Sequence, residues 1–142
     1  MTNPGSFSRP TIPFPAAEYE TRLRKLREIY RIVLEANCRA IAGLRAGMTS
    51  HDVDALARQP IEKAGYGGYF GHGLGHGLGL FVHDPGALRA QCMDVLQPGM
   101  AMTIEPGIYL PGIGGVRIED VVVVGARGCE VLTGSPKELR VL

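Results

Sequence analysis

The chain lacks a charge of one sign. Its 15 Lys and Arg stand against 14 Asp and Glu, a formal net charge of +1, so no basic surface field favours nucleic acid or anionic lipid as a partner. It also lacks the cysteine pattern of a disulfide scaffold. Cys38, Cys92 and Cys129 are odd in number, far apart and without CxxC spacing, which fits a reducing, cytoplasmic compartment. There is no apolar signal-peptide core at the N-terminus, and no run approaches the roughly 18 apolar residues of a membrane span. What is left, 142 residues, is the length of one domain rather than two.

The N-terminal stretch also lacks acidic residues, with neither Asp nor Glu before Glu18. Residues 1–15 hold four of the ten prolines together with Gly5, Ser6 and Ser8, a mixture that sustains neither helix nor central strand and reads as a flexible arm. Residues 16–142 then form the domain proper. From Ala16 to Leu44 the residues Leu23, Leu26, Tyr30, Val33, Leu34, Asn37, Ile41 and Leu44 repeat at the three-and-four spacing of one helical face. Gly47 is a stop, and Thr49 with Asp52 is a variant capping box that opens a second helix ending near Gly65. Val53, Leu56, Ala57, Ile61 and Ala64 give that helix its apolar face, and Pro60 within it should kink it or shift its first turn.

After Gly65 short apolar runs alternate with Pro-Gly and Gly-Gly pairs, the pattern of a sheet of short strands and hairpins. Helices first and sheet second make an α+β fold. Three of the four histidines, His72, His76 and His83, lie in the tract HGLGHGLGLFVH. Glycines at 71, 73, 75, 77 and 79 argue against a helical pair, so the imidazoles should project from a loop or short strand. Glu105 and Glu119 sit in otherwise apolar strands, where a carboxylate must be exposed, paired or bound to a metal. Asp84 and Asp120 are most simply turn or strand-end residues. Three His and two Glu on short strands supply nitrogen and oxygen ligands suited to Zn, Mn, Co or Fe.

The ordered words HGLGHGLGLFVHDPG, LQPGMAMTIEPGIYLPGIGGVRIEDVVVV and EVLTGSPKEL resemble the catalytic half of the M24 metallopeptidases, which have the pita-bread fold. Within them the chain is most similar to Xaa-Pro aminopeptidase and Xaa-Pro dipeptidase (prolidase), from about residue 19 onward. The resemblance implies a partial pita-bread domain, long helices followed by a curved antiparallel sheet. It implies His76, Glu105 and Glu119 as metal ligands, with Glu119 bridging two ions. Glu105 is also the candidate proton shuttle, and His72, His83 and Arg117 hold substrate and intermediate. The implied reaction is hydrolysis of the Xaa-Pro bond by a metal-activated water, on a peptide with proline at its second position. Tyr69, Phe70 and Tyr109 are available as walls for the proline ring.

The sequence departs from this family in one respect. Its enzymes draw two aspartate ligands from strands upstream of the long helix, and this sequence has no such segment; Asp52, Asp54, Asp84 and Asp94 stand elsewhere. One ion rather than two is therefore expected, with a homodimer covering the open sheet edge. The alternative is a catalytically impaired pita-bread module that acts in binding.

Overall fold

The computed structural model describes residues 15–81 and 83–140, with Pro85 described by its backbone only. The proline-rich arm assigned to residues 1–15 lies outside them but for Pro15. Helix α1 spans Ala16–Gly43 and α2 spans Ser50–Lys63. A short 3-10 turn at Gly67–Tyr69 leads into seven strands: β1 Gly75–Gly77, β2 Asp84–Leu88, β3 Ala101–Ile104, β4 Gly107–Leu110, β5 Gly114–Arg117, β6 Asp120–Val124 and β7 Cys129–Val131. An antiparallel five-stranded sheet has the order β2-β1-β3-β6-β7, and β4 pairs with β5 as a separate antiparallel hairpin.

The helices form where the periodicity puts them, and their starts follow from local chemistry. The Thr49 hydroxyl accepts the Asp52 N–H and donates to the Asp52 carboxylate, so the expected capping box closes. Gly47 takes a positive φ of 86° after α1, a conformation that a Cβ would disfavour. Pro60 does not end α2, which continues to Lys63; its cost is the missing N–H, which leaves the Leu56 carbonyl without a helical donor. The buried face of α1 is rotated from the expected one. Ile29, Val33, Ala36, Asn37 and Ala40 are the buried residues, while Leu26, Tyr30, Leu34 and Ile41 pack at the margin. Two alanines at the centre let the helix approach its neighbours closely, and the larger side chains fall to either side.

The core lies between the helices and the sheet, where Leu44, Val53, Ile61, Leu74, Ile104 and Val122 are all fully buried. Two polar clusters tie these layers together. Ser50, at the start of α2, donates to the Ala87 carbonyl and accepts the Arg89 N–H at 3.0 Å, fixing α2 to β2. Asn37, fully buried on α1, donates to the Ile104 carbonyl at 3.3 Å and to Asp120 at 2.9 Å. Asp120 opens β6, as a strand-end residue should, yet it is buried; its carboxylate also accepts from Thr133 at 2.6 Å and from Lys137 at 2.5 Å. Lys137 donates in turn to Asn37 Oδ1 at 2.9 Å, and its carbonyl accepts the Tyr30 hydroxyl at 2.8 Å. The segment after β7 is thereby anchored to α1 and β6.

Candidate functional site

The glycine-rich tract enters the sheet as a strand of three residues, with His76 at its centre. Gly75 must be glycine there, since a Cβ would stand 1.8 Å from the Thr103 carbonyl oxygen. A bulge between His76 and Gly77 breaks the β1–β2 register beside the imidazole. The loop before β1 is held from two sides. Leu74 donates its N–H to the Asp54 carboxylate at 3.1 Å, and its carbonyl accepts the Glu105 N–H at 2.8 Å. Asp54 is buried and pairs with Arg58 through two bonds of 2.6 and 3.0 Å. Arg58 also donates to the carbonyls of Phe70 and His72.

On this frame most of the expected site residues converge. A cleft of about 470 Å³ is lined by His72, His76, Glu105 and Arg117, with Ala87 and Arg89 beside them. His76 Nε2 lies 3.3 Å from Glu105 Oε1. Arg117 Nε is 3.8 Å from a carboxylate oxygen of each of Glu105 and Glu119. The His83 ring packs against that of His76, tilted by 45° with ring centroids 4.4 Å apart. Glu119 and His83 thus join the site through Arg117 and His76, and neither lines the cleft itself. Tyr109 pushes the pKa of Arg117 above its ordinary value, opposed by desolvation and aided by the fields of Glu105 and Glu119.

None of the three aromatic residues read as proline-pocket walls lines this cleft. Phe70 is buried beneath the Arg58 guanidinium at 4.2 Å and meets the edge of the His72 ring. Tyr69 is 43% exposed and outside the cleft lining. Tyr109 points its hydroxyl at His72 Nε2 across 3.0 Å. Thr103, Arg89 and the Asp54–Arg58 pair were not singled out from sequence. A threonine in a strand and an acid–base pair one helical turn apart look like ordinary strand and surface residues.

Hydrogen bonding sets how the imidazoles face the cleft. His76 Nδ1 lies 2.9 Å from the Gly77 carbonyl and His72 Nδ1 lies 2.7 Å from the Gly73 carbonyl. A carbonyl only accepts, so each Nδ1 carries the proton and each Nε2 is left to accept or to ligate. His72 Nε2 accepts from Tyr109. His76 Nε2 instead faces a carboxylate oxygen. Two acceptors oppose each other there unless the ring is doubly protonated or a cation lies between them.

The separation of 3.3 Å matches two cis ligands of one divalent ion, since bonds of roughly 2.0–2.2 Å at tetrahedral or octahedral angles set donors about 2.8–3.6 Å apart. Imidazole nitrogen and carboxylate oxygen are also the right donor types for Zn, Mn, Co or Fe. A third donor is not in place. Among the described residues no three His, Cys, Asp or Glu side chains are grouped to hold an ion; Glu119 is turned to Arg117 instead.

Comparison with known proteins identifies the family and the fold. The model of metallopeptidase family M24 matches residues 11–126, and the chain belongs to that family. The Xaa-Pro dipeptidase of Pyrococcus furiosus is 50% identical over 115 residues, 81% of this chain and 33% of that protein. The solved Xaa-Pro dipeptidase from Bacillus anthracis superposes with a TM-score of 0.82 at 57% identity, over 83% of this chain and 33% of its own. For the X-Pro aminopeptidase from Thermotoga maritima MSB8 the TM-score is 0.78 at 45% identity, over 80% of this chain and 32% of its own. The α+β arrangement is therefore that of the pita-bread peptidases. The chain spans about a third of the length of the curated relatives it matches. Among the described residues no helix is long and apolar enough to cross a membrane.

Proposed function

We propose that this chain carries the histidine–glutamate part of a divalent-metal site that hydrolyses the peptide bond between a first residue and a following proline. The observation that carries this reading is the approach of His76 Nε2 to Glu105 Oε1 at 3.3 Å, inside a cleft that also presents His72 and Arg117. His76 and Glu105 would hold the ion, and Glu119 would join them once released from Arg117. When bound, the cation supplies a Lewis acid and a water acidic enough to attack a carbonyl near neutral pH.

The chain's own groups would do the rest. Glu105 has a second carboxylate oxygen, turned from His76 and Thr103 and 3.8 Å from Arg117 Nε, to take up and pass on the proton of the attacking water. The Arg117 guanidinium is a fixed positive charge at the cleft, suited to an oxygen that gains charge as the carbonyl becomes tetrahedral. His72 has its Nδ1 proton committed to Gly73, so it contacts substrate through Nε2 and the Tyr109 hydroxyl. The decisive experiment is titration of the purified chain with Mn²⁺ and Zn²⁺, repeated on His76→Ala and Glu119→Ala, with an Xaa-Pro dipeptide then tested for hydrolysis. Ion binding abolished by His76→Ala supports the reading. No binding above background supports the second reading, a pita-bread module acting in binding, which the missing third donor favours.

A further inference from the structure

Thr103 lies at the centre of the site without lining it. It is 2% exposed, sits on β3 beside β1, and shares a strand face with Glu105 two residues on. Its single hydroxyl is used in both directions. Oγ1 accepts the His76 backbone N–H at 2.9 Å and lies 2.9 Å from Glu105 Oε1, the same oxygen that faces His76 Nε2. The hydroxyl has one proton, and its other acceptor, the His76 carbonyl, is farther away at 3.5 Å; the proton therefore belongs to the carboxylate. The strand is pressed onto this residue as well, for a Cβ on Gly75 would come within 2.9 Å of Oγ1.

We infer that Thr103 is the positioning residue of the site: one hydroxyl sets the Glu105 carboxylate and the His76 strand in a fixed relation, so that nitrogen and oxygen donors arrive at ion-binding separation before any ion does. A buried threonine needs only one partner to be satisfied. This one bridges two strands, holding the backbone of one candidate donor residue and the carboxylate of the other. The inference deepens the proposed function and rests on it for its consequence in metal binding, whereas the bridge itself is tested without metal.

The test compares the wild-type chain with Thr103→Val and Thr103→Ser. In metal-free protein, the carboxyl ¹³C resonance of Glu105 and the amide ¹⁵N–¹H resonance of His76 are expected to move in the valine variant and to return to wild-type positions in the serine variant, which keeps the hydroxyl and drops a methyl. Mn²⁺ affinity is expected to fall about 10–100-fold with valine and to recover with serine, the range for loss of a group that orients a ligand. Should the valine variant not fold, Thr103→Ala replaces it, and the alanine–serine difference is the reading. Resonances unmoved by valine, or moved equally by serine, overturn the inference. A wild-type chain that holds no Mn²⁺ while both resonances still answer to the hydroxyl overturns the proposed function and leaves the positioning role supported.

Discussion

Replacing Lys137 by Met should unlock the polar cluster that joins α1, β6 and the segment after β7. The Lys137 ammonium is 2.5 Å from Asp120, whose side chain is 2% exposed, while Lys137 itself is 28% exposed. Removing one partner of a fully buried pair costs about 3–5 kcal/mol. Here the lysine is partly wet and Asp120 keeps Thr133 and Asn37, so about 2–3 kcal/mol is expected. At this chain length that lowers the Tm by roughly 6–12 °C, measured by circular dichroism, with urea unfolding as a second measure.

The pH dependence is a sharper check. Burial alone would raise the Asp120 carboxyl, but bonds from Lys137, Thr133 and Asn37 outweigh it and hold the group below the usual carboxylate range. The unfolded chain, with Asp near about 3.9, then binds more protons than the folded one in acid. The stabilisation is fully present above that value and is lost as pH falls through the lower folded value. Without Lys137 burial dominates, and the acid-unfolding midpoint should move to higher pH. A Lys137→Met chain within about 0.5 kcal/mol of wild type, with an unchanged acid midpoint, would refute the reasoning. The Asp120→Asn, Lys137→Met cycle should show coupling of about 1 kcal/mol or more.

Arg58→Met should free the loop that carries His72, because Arg58 is bonded to the carbonyls of Phe70 and His72 and neutralises buried Asp54. A loss of about 3 kcal/mol in unfolding free energy is expected, with a shift of the His72 ring signals by NMR; unchanged ring signals would contradict the anchoring. Burial pushes the Cys129 thiol up, and Cys38 is exposed. Iodoacetamide at pH 8 should therefore modify Cys38 first and Cys129 last, as read by peptide mass mapping. Equal rates would mean that Cys129 is reached by solvent.

Much of this fold is written in local patterns. The helices follow from their period, the start of α2 from Thr49 and Asp52, and the exclusion of His76 from a helix from its flanking glycines. The gathering of His72, His76, Glu105 and Arg117 came instead from ordered words that match a family, since no spacing rule relates residues up to 45 positions apart. The rest was hidden by distance along the chain. Asn37 reads as one more position on a helical face, and nothing near it announces partners at Asp120 and Lys137. Asp54 and Arg58 read as a solvated surface pair because burial is decided by what packs over them, the loop of residues 70–74. Thr103 reads as a β-former, and its hydroxyl gains a purpose only when β1 is laid beside β3.

The histidine bonds to the carbonyls of Gly73 and Gly77 make the chemistry of each ring a property of a dipeptide. In each pair the imidazole is oriented by the residue that follows it, with no distant side chain required to choose which nitrogen is offered. A mutation elsewhere in the domain can displace the strand yet leave the tautomer untouched. Displacement of the strand and loss of donor identity are therefore separable failures, and only changes at the His-Gly steps themselves should produce the second.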